Sequence, residues 1–281
     1  AHFIRWEFCR VPKTILSRKN EFIRKILRLS GSAEYRRERG LYFLEGARLC
    51  ADAAVSGVNI RALLYTERAA NKYREYLSPV FASAGEVYLV GPQVAQALSC
   101  TKTPQGIFCV CKLPEGHVRS CKMAMPGTYL ALENLQDPAN MGTILRTTEA
   151  LGIGGVLLGG NCCDLYSPKV LRASMGAVFR LPIFTEKNLP AALLELKRRG
   201  FVTAAAVPDA TALPVTEMAF SVPCVLAVGN EGNGLTGETR GACSVEIFIP
   251  MKGRAESLNV SAAAAILAWE MMKNRAGGAA G

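Results

Sequence analysis

Histidine is nearly absent: His2 and His117 are the only two among 281 residues. That argues against Ser-His-Asp catalysis, against most Cys-His chemistry and against His-rich metal sites. Ten cysteines are present, yet none stands in a C-x-x-C pair. Cys109, Cys111 and Cys121 lack any usual zinc spacing, so no metal is expected. Several cysteines lie inside apolar runs, as Cys109 does in GIFCVC, and read as buried free thiols. There is no secretory signal and no stretch of about 18 continuous apolar residues. The expected compartment is therefore a reducing cytoplasm, with no membrane partner. Also missing are G-x-x-x-x-G-K-[ST], which excludes a P-loop NTPase, and G-x-S-x-G.

What is present is basic charge, unevenly placed. The chain carries 33 Lys/Arg and 23 Asp/Glu, a formal charge of +10. From Ala1 to Arg48 there are 12 basic and 5 acidic residues, or +7; the remainder has 21 against 18, or +3. A basic arm on a near-neutral body suits a polyanion such as nucleic acid, with a solubilising bias as the plain alternative.

Along the chain, residues 1–40 read as a basic, mostly helical extension. Phe22, Ile23, Ile26, Leu27 and Leu29 recur near a 3.6 period with Arg24, Lys25 and Arg28 between them. Residues 41–113 alternate short strands (LYFLE, IRALLYT, EVYLV, IFCVCKL) with helices, a compact α/β domain with a polar Thr/Lys loop near Thr101. Residues 114–126 have no period and read as a linker. Residues 127–275 again alternate strand and helix. Their near-continuous apolar strands indicate a parallel sheet covered on both faces. Residues 276–281 read as a flexible tail.

Polar residues gather at strand ends of this second domain: Glu133-Asn134, Asp137, Asn140 and Arg146 after the first strand, Asn230 and Glu231 after a later one, and Ser257, Asn259 and Ser261 before the last helix. An Arg near an Asn-rich loop suits phosphate or ribose. Ser257 and Asn259 also read as plain N-caps, and Glu231 as a turn residue. The string Gly232-Asn233-Gly234-Leu235-Thr236-Gly237 fits G-x-G-x-x-G. A dinucleotide site is rejected, because only Glu238 to Ser244 remain before the next strand, too few for a crossover helix.

Three separated segments, ENLQDPANMGTILRTTEALG, LAVGNEGNGL and IPMKGRAESLNVSAAAAI, together resemble the SpoU/TrmH-type branch of the SPOUT RNA methyltransferases. FLEG and Thr103-Pro104-Gln105-Gly106 are similar to that family's L30e-like substrate-binding domain. The resemblance implies a C-terminal α/β SPOUT domain with a deep trefoil knot, a homodimer, and S-adenosylmethionine as methyl donor. It implies transfer to a ribose 2′-hydroxyl of RNA, ribosomal RNA above transfer RNA because of the added N-terminal domain. A non-catalytic RNA-binding protein is the rival class, and a nicotinamide dehydrogenase a distant one. The functional positions fall on Asn140, Arg146, Glu231, Ser257 and Asn259. Those implied for the donor fall on Gly229, Asn230, Gly234, Ile249, Met251 and Leu258. A free guanidinium titrates above about 12, so Arg146 is read as a positioning and charge-stabilising group rather than a base.

Overall fold

The computed structural model of the chain describes residues 11–114, 122–123 and 127–276. His2, Cys9, His117, Cys121, most of the expected linker and nearly all of the tail lie outside the described residues. The chain divides into two compact units: Ala1–Glu115 with Tyr166–Phe179, and Gly116–Leu165 with Arg180–Gly281.

The first unit opens with strand β1 (Lys13–Ile15), helix α1 (Glu21–Gly31) and helix α2 (Ala33–Arg39). Then come β2 (Leu41–Glu45), α3 (Ala47–Val55), β3 (Ile60–Tyr65), α4 (Glu67–Lys72), α5 (Arg74–Ser83), β4 (Glu86–Val90), α6 (Pro92–Leu98) and β5 (Ile107–Lys112). They form a five-stranded mixed sheet in the order β1-β4-β3-β5-β2.

The stretch read as an extension is, over residues 13–40, part of this unit. β1 pairs in parallel with β4, Ile15 opposite Val90. Ile23, Ile26, Leu29 and Tyr35 share a core with Phe43 and Phe108. The apolar stripe of α1 requires that burial. Arg24, Arg28, Arg37 and Arg39 remain exposed, and the guanidinium groups of Arg28 and Arg39 lie 4.0 and 5.3 Å from the Tyr35 ring centre.

Glu45, buried at the end of β2, anchors the polar loop after α6. It accepts from Ser99 Oγ at 2.5 Å, Cys100 N at 2.8 Å and Thr101 Oγ1 at 3.1 Å. Gln105 Oε1 accepts from Ala47 N at 2.7 Å. The Thr101–Thr103 tip is thereby held but exposed.

The second unit begins with β6 (Thr128–Glu133), α7 (Pro138–Ala150) and β7 (Val156–Gly159). Helices α8 (Pro168–Ser174) and α9 (Ala177–Arg180) follow in the chain. Met175, with φ 50°, separates these two helices, because a left-handed residue ends a helix.

Then come β8 (Ile183–Glu186), α10 (Leu189–Arg198), β9 (Val202–Ala206), β10 (Leu213–Pro214), β11 (Cys224–Val228), α11 (Gly237–Ala242), β12 (Val245–Phe248) and α12 (Val260–Ala276). The seven strands order as β10-β12-β9-β11-β6-β7-β8. Every pair is parallel, and β6 and β11 are buried at every position, as a sheet covered on both faces requires. Among the described residues, no helix is long and apolar enough to cross a membrane.

Candidate active site

In a parallel α/β sheet, ligands are met at the carboxyl ends of the strands. The polar residues singled out above stand there, after β6, β11 and β12. β6 ends on the buried Glu133. Asn134 leaves it with φ 53°, a conformation Asn tolerates better than most residues. Asp137 then caps α7, accepting from Ala139 N at 2.6 Å and Asn140 N at 3.0 Å. This cap fixes Asn140 in the first turn. Arg146 lies six residues further on, exposed, and among the described residues it has no ion-pair partner.

The loop after β11 folds back on itself. Asn230 and Gly234 exchange backbone hydrogen bonds of 3.1 and 3.0 Å. Asn230 Oδ1 accepts from Gly232 N at 2.9 Å and Asn233 N at 3.2 Å. Its Nδ2 donates to Asn134 O at 2.9 Å and to Glu231 Oε2 at 3.2 Å.

From Glu231 a chain of hydrogen bonds crosses the site. Asn140 Nδ2 donates to Glu231 Oε1 at 2.9 Å. Asn259 Nδ2 donates to Asn140 Oδ1 at 3.2 Å. Asn259 Oδ1 accepts from Ser261 N at 2.9 Å and Ser261 Oγ at 2.6 Å, capping α12. The carboxylate sets the polarity of the whole chain. An ionised Glu only accepts, so Asn140 must turn its amide nitrogen to it and its oxygen to Asn259. Asn259 is thus both an N-cap and a member of the network. Ser257 is not a cap: it stands two residues earlier, exposed.

Beside this network lies a cleft of about 370 Å³. Gly229, Asn230, Gly234, Ile249, Met251 and Leu258 all line it, with Glu231 and Ser257. Val207, Ile247 and Leu267 add aliphatic wall. Met251 and Leu258 are 39% and 38% exposed. Arg240 borders the cleft but is engaged by Glu246, at 2.7 and 2.9 Å. Asn140, Arg146 and Asn259 are not among the lining residues.

Two cysteines adjoin the Asn134 turn. Cys162 Sγ lies 3.4 Å from Leu132 O and 3.3 Å from Gly159 O. Burial raises the Cys162 thiol and pushes Cys163 up to about 12. Neither is set up as a thiolate nucleophile.

Sequence reasoning placed Glu133 among the polar strand ends but missed its role as an anchor. Its carboxylate accepts from Thr236 N at 2.7 Å, Thr236 Oγ1 at 3.0 Å and Thr239 Oγ1. The available signal was an acid ending an apolar strand, with Thr-x-x-Thr at a distant helix start.

A covered parallel sheet, with a looped cleft and an Asn/Glu network at its carboxyl edge, defines an α/β protein with a ligand site at the strand ends. Residues 127–269 match the SpoU rRNA Methylase family, and residues 20–109 match the MRM3-like substrate binding domain. The chain belongs to the SpoU rRNA methylase family. It is 32% identical over 261 residues to the 23S rRNA (guanosine(2553)-2'-O)-methyltransferase RlmP of Bacillus subtilis, covering 92% of this chain and 99% of that protein. It is similar in structure to the AdoMet-bound rRNA methyltransferase of Sinorhizobium meliloti, with a TM-score of 0.82 and 28% identity over 93% of this chain and 97% of that one. It is likewise similar to the SpoU methyltransferase AviRb of Streptomyces viridochromogenes in complex with AdoMet, with a TM-score of 0.82 and 26% identity over 92% and 99% of the two chains.

Proposed function

We propose that this chain transfers a methyl group from S-adenosylmethionine to a ribose 2′-hydroxyl of ribosomal RNA. The observation that carries the reading is the hydrogen-bond chain Glu231–Asn140–Asn259 beside the cleft. It joins residues far apart in sequence that pure helix capping would not bring together. Relatives whose names specify ribosomal RNA align over nearly the whole chain, including the substrate-binding unit, which favours that RNA over transfer RNA.

The cleft suits the donor chemically. Aliphatic walls accept a purine, a glycine-lined loop lets backbone come close, and the Glu231 carboxylate at the edge favours a cation. Gly229, Asn230, Gly234, Ile249, Met251 and Leu258 would hold it. When bound, S-adenosylmethionine supplies an electrophilic methyl and a neutral leaving group. The protein's part is alignment and charge. Glu231 orients Asn140, which orients Asn259, so that the loop before α12 is fixed against α7. Ser257 offers a hydroxyl inside the cleft for donor or ribose. Arg146 holds an RNA phosphate and stabilises negative charge developing on the ribose oxygen.

Tritium transfer from labelled donor to ribosomal RNA, followed by mapping of alkali-resistant ribose positions, tests the reading. Label found in transfer RNA alone would correct the substrate; no transfer to either would sink the enzyme reading.

The exposed arginines of α1 and α2 would contact phosphates and set affinity rather than sequence. Because α1 and α2 are core elements, the test removes charge and leaves the helices. With Arg24, Arg28, Arg37 and Arg39 all changed to Gln, RNA affinity should fall. The slope of log K against log salt should flatten by about 0.7–0.9 for each phosphate no longer neutralised. An unchanged slope in filter binding would refute the role.

A knotted C-terminal segment and a homodimer complete the reading. Support for the dimer is apolar exposure on α12, where Ile266 is 38% and Trp269 52% exposed. Trp269→Glu should shift the sedimenting species from dimer to monomer, since a charge in an apolar interface is unpaired. The eight described cysteines are free, which suits a reducing cytoplasm.

A further inference from the structure

Glu133 is 4% exposed, and among the described residues no cation pairs with it. Its partners are neutral: one backbone N–H and two threonine hydroxyls. A buried carboxylate without a counter-ion is expensive to keep, and a neutral side chain would fill the same space more cheaply. Packing alone therefore does not account for it.

Its position does. β6 and β11 are neighbours in register, Leu132 opposite Val228. The next residues, Glu133 and Asn134, stand beside the loop that leaves β11. Asn134 O accepts from Asn230 Nδ2 at the loop's start. Glu133 accepts from Thr236 and Thr239 at its end. Two consecutive residues of one strand end thus grip both ends of the loop that lines the cleft. Asn134 is itself fixed: its Oδ1 accepts from Asn161 N at 2.9 Å. Gly160 packs so closely that a Cβ there would come within 2.3 Å of that oxygen. The same strand end leads into α7 and Asn140, so the grip sets the loop relative to the Glu231–Asn140 bond.

We propose that Glu133 and Asn134 are positioning residues, a two-point clamp that holds the Gly229–Leu235 loop in its donor-binding shape. The clamp governs donor affinity rather than the rate of transfer. This inference rests on the cleft being the methyl-donor site.

The test uses the full chain and two readouts. The first is the Kd for S-adenosylhomocysteine by calorimetry; the second is hydrogen–deuterium exchange of residues 230–234 in the donor-free protein. Thr239→Val and Glu133→Gln should each raise the Kd about 10-fold, the scale of a lost hydrogen bond to a charged group. Both should speed exchange in the loop. Turnover of RNA at saturating donor should stay within about threefold, because the clamp acts on a bound shape that high donor concentration restores. Thr239→Ser keeps the hydroxyl and should keep the wild-type Kd and exchange. Should Glu133→Gln not fold, the Thr239 pair carries the test. A lower melting temperature with unchanged Kd and exchange overturns the clamp while leaving the donor reading intact. A wild-type chain that binds no S-adenosylhomocysteine overturns both.

Discussion

Replacing Arg146 with Ala is expected to lower methyl transfer at least about 100-fold, the scale of a lost electrostatic stabiliser, while donor affinity stays within about twofold. The geometry separates the two effects. Arg146 does not border the cleft, so its removal leaves the donor's walls intact. Nor does it belong to the Glu231 network. Glu231 is engaged by Asn140 and Asn230. On a helix, six residues is about 9 Å along the axis and about 120° around it. Asn140 therefore turns toward the loops while Arg146 faces solvent on another side of α7, where an RNA phosphate can reach it. A guanidinium grips a phosphate through two parallel hydrogen bonds, which a lysine ammonium cannot copy. Arg146→Lys should therefore recover only part of the loss. Single-turnover rates with saturating donor and RNA check this. Near-wild-type rates for Arg146→Ala would remove Arg146 from the chemistry.

The parallel sheet was legible because its strands are apolar almost without interruption, as in Cys224–Val228. The site was legible in parts: each polar residue stood at a strand end, but only the family resemblance grouped them. Asn140 and Glu231 are 91 positions apart, Asn140 and Asn259 119, and no periodicity spans such distances. Other features depend on tertiary contacts. β1 has three residues in a basic stretch, and its pairing with β4 decides its state. Arg36 reads as one of a cationic run, yet it is buried, donating to Leu29 O at 2.5 Å and closing the end of α1. Glu133 shows the same limit. A buried acid is recognisable only once its hydrogen-bond donors are seen, and these lie more than 100 residues away.

Gly229→Ala is expected to weaken donor binding by at least about 100-fold and to reduce turnover with it, because the loop cannot accept a methyl group in its present fold. A Cβ at Gly229 would fall 2.1 Å from Gly234 C, 2.3 Å from Gly234 O and 2.3 Å from Leu235 N. All three are backbone atoms, so no side chain can rotate away. The strand end and the returning chain must part by more than 1 Å to reach ordinary contact at about 3.5 Å. That parting breaks the Asn230–Gly234 bridge and moves Glu231 from Asn140, so shape and network fail together. Gly234→Ala should do less. It has open space around it but a φ of +65°, a conformation costing about 1–2 kcal/mol with a side chain, or roughly 10-fold in affinity. Gly241, in α11, has neither a close neighbour nor a positive φ. Gly241→Ala should leave binding unchanged and slightly stabilise the helix. The order Gly229, Gly234, Gly241 in loss of S-adenosylhomocysteine affinity follows from backbone geometry alone. A folded Gly229→Ala chain with wild-type affinity would mean that this loop is not a wall of the donor site.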